Sequence, residues 1–257
     1  MNIPIANLSA QTEPIRSFRL NAKQEIALGY MTDSIARHTL MLGGSRSGKT
    51  FLAVRAIIIR GLTYPRSRHL SLRLHRVTAE KYIWKQTLKD VIEKCFPDVA
   101  FIYNNSRMIL TFPNGSEYWV GGLDEGEKSD GLLGSDWNTI HFDEANEMLA
   151  EGMQKARTRL SLKTKSMDGT RFCINRSFAT VNPTFKTHHL YRTYVEKFDI
   201  FNGLPMAKDF AELYNWCRIN PVDNLENLSE GYIRELESLS PENRSEERRV
   251  GKECRSR

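Results

Sequence analysis

The sequence predicts an α/β fold, a wound and mostly parallel sheet flanked by helices. Strand-length apolar runs separated by helix-prone stretches recur along most of the 257 residues, the pattern of such a sheet. A glycine-rich turn, Gly43–Thr50, stands between an apolar run, His38–Leu42, and the start of a buried helix, Phe51–Ile59. A second run, Trp137–Phe142, delivers the acidic pair Asp143 and Glu144, with helix-prone sequence behind it.

Length allows one large domain or two small ones. A hydrophobic content of 40% and a charged content of 26% are ordinary for a globular chain. No apolar stretch approaches the ~18 residues of a membrane span, because Arg55 interrupts the longest. Met1–Ile5 has no basic region followed by an apolar core, so nothing in it suggests secretion. Cys95, Cys173, Cys217 and Cys254 show no C-x-x-C spacing and read as reduced thiols, neither a disulfide framework nor a zinc site.

The net charge of +6 needs one correction. The run Arg244–Arg257 differs from what precedes it and resembles the in-frame translation of a sequencing-library adapter. It holds six Lys/Arg and three Asp/Glu, so without it the net charge is +3. Nucleic-acid binding therefore cannot rest on overall charge.

Taken in order, residues 1–17 carry Pro4 and Pro14 without periodicity and read as an arm. Asn21 is the expected N-cap of a helix through about Ala36. Gly61–Arg68, with Pro65, reads as a connection, and the leucine alternation of His69–Leu74 as a strand. The next helix lines up Ile83, Trp84, Leu88, Val91, Ile92 and Cys95 on one face. Lys81, Lys85 and Lys89 share another, either a solvated face or one that meets a DNA backbone. Phe101–Tyr103, Met108–Phe112 and Glu117–Val120 read as short strands, with Asn114-Gly115 as a hairpin turn between the last two. Gly121–Gly134 reads as a functional loop, Ala145–Leu162 as a helix, and Arg171–Thr180 as a long strand ending at Val181-Asn182-Pro183. Beyond Thr187 only a final helix, Ser229–Leu239, stands out.

Gly43-Gly44-Ser45-Arg46-Ser47-Gly48-Lys49-Thr50 fits the phosphate-loop pattern G-x-x-x-x-G-K-[ST] at every fixed position. Glycines let backbone N–H groups wrap a phosphate chain at a helix N-terminus, where negative charge is favoured. Lys49 then reaches the β- and γ-phosphates of ATP, and the Thr50 hydroxyl ligates Mg²⁺. Asp143, at a strand end, is the second expected Mg²⁺ ligand, and Glu144 the group that polarises an attacking water. His141 reads as a packed or edge histidine and not as a ligand.

The combination resembles the ATPase domain of the large terminase subunit, the DNA-packaging motor of tailed bacteriophages. The resemblance runs from about Phe18 to Arg244 and rests on Gly43–Thr50, Phe112–Ser116, Gly121–Asp124 with Lys128, Ile140–Ala145 and Thr180–Asn182-Pro183. It implies a P-loop NTPase fold of the ASCE, RecA-like type, with the catalytic glutamate, Glu144, on the strand beside the phosphate loop. It makes Thr180 and Asn182 a coupling motif that senses the γ-phosphate, and fits Gln24 to an adenine-reading position, against a solvated residue as the alternative. Arg46 is implied as a γ-phosphate arginine in cis. The commonest family pattern has that arginine one place earlier, at Ser45 here, and Arg157 or Arg159 acting on a neighbouring subunit is the alternative.

The resemblance also implies an ATPase domain over 18–243 and a homo-oligomeric ring acting on double-stranded DNA. Its implied partners are a portal protein and a small terminase subunit, in the cytoplasm of the bacterial host. Family members continue into a nuclease domain, which is expected to be missing before the tail at 244–257. A helicase-like DNA-dependent ATPase and, further off, a P-loop kinase are the competing readings.

Overall fold

The computed structural model describes residues 19–124 and 131–238. The expected arm, Lys128 and the run 244–257 lie outside the described residues. Helix α1 (Ala22–Thr32) opens with a reciprocal cap. Asn21 Oδ1 accepts from the Gln24 N–H at 2.9 Å, and Gln24 Oε1 accepts from the Asn21 N–H at 3.1 Å. The helix stops short of Ala36 because the Asp33 carboxylate accepts from the N–H groups of Ile35 and Ala36, closing a turn.

Strand β1 (His38–Leu42) and helix α2 (Lys49–Thr63) follow. The helix takes in Gly61–Thr63, expected in the connection. Gly61 lies so close beneath the Phe112 ring that a Cβ there would approach it to 2.5 Å. Strand β2 (Arg68–Arg73) leads into α3 (Arg76–Thr78), a π-helical stretch (Ala79–Thr87) and α4 (Leu88–Cys95). Strands β3 (Ile102–Asn104), β4 (Ile109–Thr111) and β5 (Glu117–Gly122) form antiparallel pairs, with Gly115 at φ 78° in the expected β4–β5 turn.

Strand β6 (Thr139–Asp143) is followed by a 3₁₀ turn (Ala145–Glu147) and α5 (Ala150–Arg157), where one helix to Leu162 was expected. Met148 breaks it. Its backbone is extended and its side chain is buried in the core. At the far end, the Trp137 N–H donates to the Arg159 carbonyl at 2.8 Å, drawing that segment out of the helix. Strand β7 (Arg176–Val181) is shorter than expected, because Phe172 and Cys173 pair back with Lys165 and Thr164. Helix α6 (His189–Tyr194), the ribbon β8 (Phe198–Asp199) and β9 (Leu204–Pro205), and helix α7 (Lys208–Ala211) lead to β10 (Tyr214–Arg218), a strand the sequence did not announce. A 3₁₀ turn (Pro221–Asn227) and α8 (Glu230–Ser238) complete the described chain.

The main sheet runs β10-β1-β7-β6-β2-β5-β4-β3. All pairs from β10 through β5 are parallel, and β4 and β3 add an antiparallel edge. This is the wound, mostly parallel α/β sheet that the sequence predicts. One expectation needs correction: β7 lies between β1 and β6, so the Asp143–Glu144 strand is not the neighbour of the phosphate-loop strand.

Both faces of the central strands are buried. On one, Met41, Phe178, Tyr118 and Val120 pack under α1, α2, the π-helical stretch and α4. On the other, Leu40, Leu42, Leu70, Leu72, Ile140 and Phe142 pack against Trp137, Met153, Leu190 and Tyr194. No described helix is long and apolar enough to cross a membrane.

Candidate nucleotide site

Parallel strands place their C-terminal ends on one edge of the sheet, where ligands of wound α/β folds bind. Here β1, β7, β6 and β2 end there on Leu42, Val181, Asp143 and Arg73. A cavity of about 280 Å³ opens at this edge. Ser45–Phe51 form one wall, and Asp143, Glu144, Thr180 and Asn182 another.

Gly43 continues the β1 ladder, donating its N–H to the Val181 carbonyl at 3.2 Å. Gly48 adopts left-handed backbone, φ 85°, as the residue before α2, a conformation that suits glycine. Lys49 is 7% exposed, and its ammonium donates to the carbonyls of Gly43 at 2.6 Å and Gly44 at 2.7 Å, and to Ser47 Oγ at 3.0 Å. The loop thus holds its cation within the turn, at the helix N-terminus, where an anion would gain both charge and N–H donors.

Asp143 gathers donors from three other elements. Thr50 and Thr180 each donate to Oδ1 at 2.7 Å, and Arg73 Nε donates to Oδ2 at 2.7 Å. Arg73 also reaches sideways, with Nη1 at 3.0 Å from Glu144 Oε2. Glu144 stands at φ 51°, a left-handed turn that costs a non-glycine residue about 1 kcal/mol and points consecutive acids at one cation.

The two acids differ in their affinity for protons. Burial works to raise Asp143, but His141, Arg73 and the two threonine hydroxyls together hold it below the usual carboxylate range. Burial pushes Glu144 above that range, and Arg73 only partly opposes it. An ionised acid beside a more basic one suits a metal ligand beside a general base. His141 is fully buried on β6, an interior strand, and burial pushes its pKa down to about 4.

Gln24 is 4% exposed and so is not the solvated residue the sequence left open. It lies against Gly48, spends its Oε1 on the α1 cap, and does not line the cavity. Arg46 lies at the rim with its guanidinium 4.6 Å from the Tyr232 ring centre, and Asn224 donates to its carbonyl at 3.0 Å. Arg157 is engaged within its own chain, donating to the Tyr194 hydroxyl at 2.8 Å beside the Phe142 and Tyr214 rings. Lys85 pairs with Glu80 at 2.7 Å, as a solvated helix face would.

Three residues were missed by sequence reasoning. Asn224 and Thr87 line the cavity, and Arg73 bridges the acids. Thr87 closes the π-helical stretch by donating to the Tyr82 carbonyl at 2.9 Å, and the Tyr82 ring covers the Arg73 guanidinium at 4.8 Å. π-helical turns often mark functional sites, but no residue pattern announces one.

The phage terminase large subunit family model matches residues 36–252. The chain belongs to that family. The large terminase of a thermophilic bacteriophage is similar in structure, with a TM-score of 0.67 at 16% identity over 87% of this chain. The same phage protein in complex with ATP-gamma-S gives a TM-score of 0.62 at 16% identity, covering 84% of this chain and 48% of that one. The large terminase ATPase domain of Thermus phage P74-26 gives 0.60 at 14% identity, covering 91% of this chain and 94% of that one. The chain spans about half the length of the first of these terminases, 52% of it. No curated protein matches the chain.

Proposed function

We propose that this chain is the ATP-hydrolysing motor of a terminase large subunit, which drives double-stranded DNA into a procapsid. The carrying observation is the pair Asp143 and Glu144, joined by Arg73 and facing a complete phosphate loop across one cavity. Family membership and the complex of the thermophilic phage terminase with ATP-gamma-S support a nucleoside triphosphate as ligand.

Gly43, Gly44, Ser45, Ser47 and Gly48 present backbone to the phosphates, and Lys49 exchanges its loop carbonyls for β- and γ-phosphate oxygens. The residues fit Mg²⁺, since Thr50 and Asp143 both line the cavity and already bring two hard oxygen donors within 2.7 Å of each other. Bound there, Mg²⁺ would neutralise charge developing on the phosphates. Glu144 accepts the proton of the attacking water, helped by its raised pKa. Thr180 touches the metal-binding acid and Asn182 lines the same cavity, so β7 is the element that relays loss of the γ-phosphate. Arg46 serves the γ-phosphate in cis once it leaves Tyr232. The partners are a portal protein, a small terminase subunit and further copies of this chain in a ring, in the host cytoplasm.

Glu144→Gln is the direct test. It keeps the size and the contacts of the site but removes the base. ADP affinity should stay within about twofold while Mg²⁺-dependent ATP turnover falls by about a hundredfold or more, the scale of general-base loss. Near-wild-type turnover would refute the assignment of Glu144.

A further inference from the structure

The site's metal-binding acid is tied to a row of side chains deep beneath α2. Ser71 of β2 and His141 of β6 are directly opposed in register, as are Asp143 of β6 and Thr180 of β7. Tyr118 of β5 lies on the same face, one strand beyond Ser71. The contacts run continuously: Tyr118 hydroxyl to Ser71 Oγ at 2.7 Å, Ser71 Oγ to His141 Nδ1 at 3.0 Å, His141 Nε2 to Thr180 Oγ1 at 3.2 Å, and Thr180 Oγ1 to Asp143 Oδ1 at 2.7 Å. Every member is 2% exposed or less.

Donor and acceptor counting gives this row one direction. The Asp143 carboxylate only accepts, so the Thr180 hydroxyl spends its proton there. The Phe142 carbonyl, 3.5 Å from Thr180 Oγ1, is too distant to compete. Thr180 Oγ1 is left as an acceptor, which puts the ring proton of His141 on Nε2. Nδ1 of the neutral ring then accepts from Ser71, whose oxygen accepts from Tyr118. Each proton is used once, and none of the five groups is left unpaired. Successive donors that point the same way polarise one another, and they do so most where water is excluded.

We propose that Tyr118, Ser71 and His141 form a one-way hydrogen-bond relay that, through Thr180, fixes the Asp143 carboxylate in its metal-binding orientation. His141 is a positioning residue of the site, two strands and one hydroxyl removed from the phosphate loop. The proposal rests on the ATPase reading for the identity of the metal site. It adds that a strand as distant as β5 sets the quality of that site.

The test uses the full chain, with Mn²⁺ in place of Mg²⁺ and ADP as nucleotide. Bound Mn²⁺ is read by electron paramagnetic resonance and turnover is measured separately. His141→Leu should weaken Mn²⁺ binding to the ADP complex by up to about tenfold, the worth of the neutral hydrogen bond from Nε2 to Thr180, with metal-free ADP affinity unchanged. His141→Gln, whose amide nitrogen takes the place of Nε2, should recover most of that loss. Tyr118→Phe deletes a single oxygen with the ring retained, and should lower kcat about two- to threefold at unchanged KM, as a more distant link.

A purely structural role moves stability alone. Wild-type Mn²⁺ affinity in folded His141→Leu protein overturns the relay, as does wild-type kcat in folded Tyr118→Phe protein or a His141→Gln variant no better than His141→Leu. The Mn²⁺ comparison needs no turnover, so failure of the ATPase reading and failure of the relay give separate results.

Discussion

The two faces of the sheet are equally buried and made of different material. Facing α2 stand His69, Ser71, Arg73, Thr139, His141, Asp143 and Thr180, none more than 7% exposed. Facing α5 and α6 from the same strands stand Leu70, Leu72, Ile140, Phe142, Ala179 and Val181, none above 1%. Polar groups survive such burial only when each finds a partner, and here they find one another. His69 sits between Ser67 at 2.8 Å and Thr139 at 2.9 Å, as His141 sits between Ser71 and Thr180. On β2 and β6 one face therefore holds the strands together by apolar contact and the other holds chemistry in place, while β1, β5 and β7 bring Met41, Tyr118, Val120 and Phe178 to that second face as well. A single strand with period two serves both.

The contrast is broken most severely at the phosphate loop. Lys49→Ala should lower ATP turnover by at least about a hundredfold, since it removes the cation that compensates the β/γ-phosphate charge. Stability should drop by about 1.5–3 kcal/mol, the range for hydrogen bonds made by a charged group. A steady-state ATPase assay alongside urea unfolding measures both, and retained turnover would remove Lys49 from the site.

Leu70→Ala sharpens the contrast from the other face. Leu70 is fully buried in the apolar cluster on the face opposite the polar row, so the expected loss is about 2–5 kcal/mol of unfolding free energy. The kcat per folded molecule should stay within about twofold. A large fall in kcat at full folding would mean that the faces do not divide the work.

The smallest effect is in pH. Burial holds His69 well below 6.5, and burial, partly opposed by Asp143, holds His141 at about 4. As pH falls below 6.5 the unfolded chain takes up these protons first, so unfolding is favoured progressively down to the folded values. Urea midpoints at about pH 5.5 should reflect a loss of about 1 kcal/mol per buried histidine relative to about pH 7.5. Leu70→Ala should lower the whole curve without changing its slope. A flat profile would mean that the histidines are already charged in the folded protein.

Legibility in the sequence followed the same division. The alternating leucines of 69–74 announce β2, and the glycine spacing with its flanking runs announces the phosphate loop, because both signals are local. That His69, Ser71 and Arg73 are buried as well depends on Thr139, His141 and Asp143, each 70 residues further along. Arg73 was missed for that reason. Strand β10 was missed because Asn215, Trp216 and Arg218 are only partly buried, and an edge strand beside β1 needs no clean alternation. Gln24 was left between two readings because its neighbour, Gly48, comes from a different element.

Gly43 carries one more consequence. A Cβ placed there would lie 1.8 Å from the Ile219 carbonyl oxygen, backbone against backbone, with no flexible side chain to give way. Just before it, the Ile219 N–H donates to the Leu42 carbonyl at 2.9 Å. The first glycine of the loop is therefore also the bearing on which the chain leaving β10 is seated, and that chain goes on to supply Asn224 and Tyr232 to the loop's outer side. There is no clearance between the two. The loop therefore cannot shift toward the segment behind β10 without that segment moving as well.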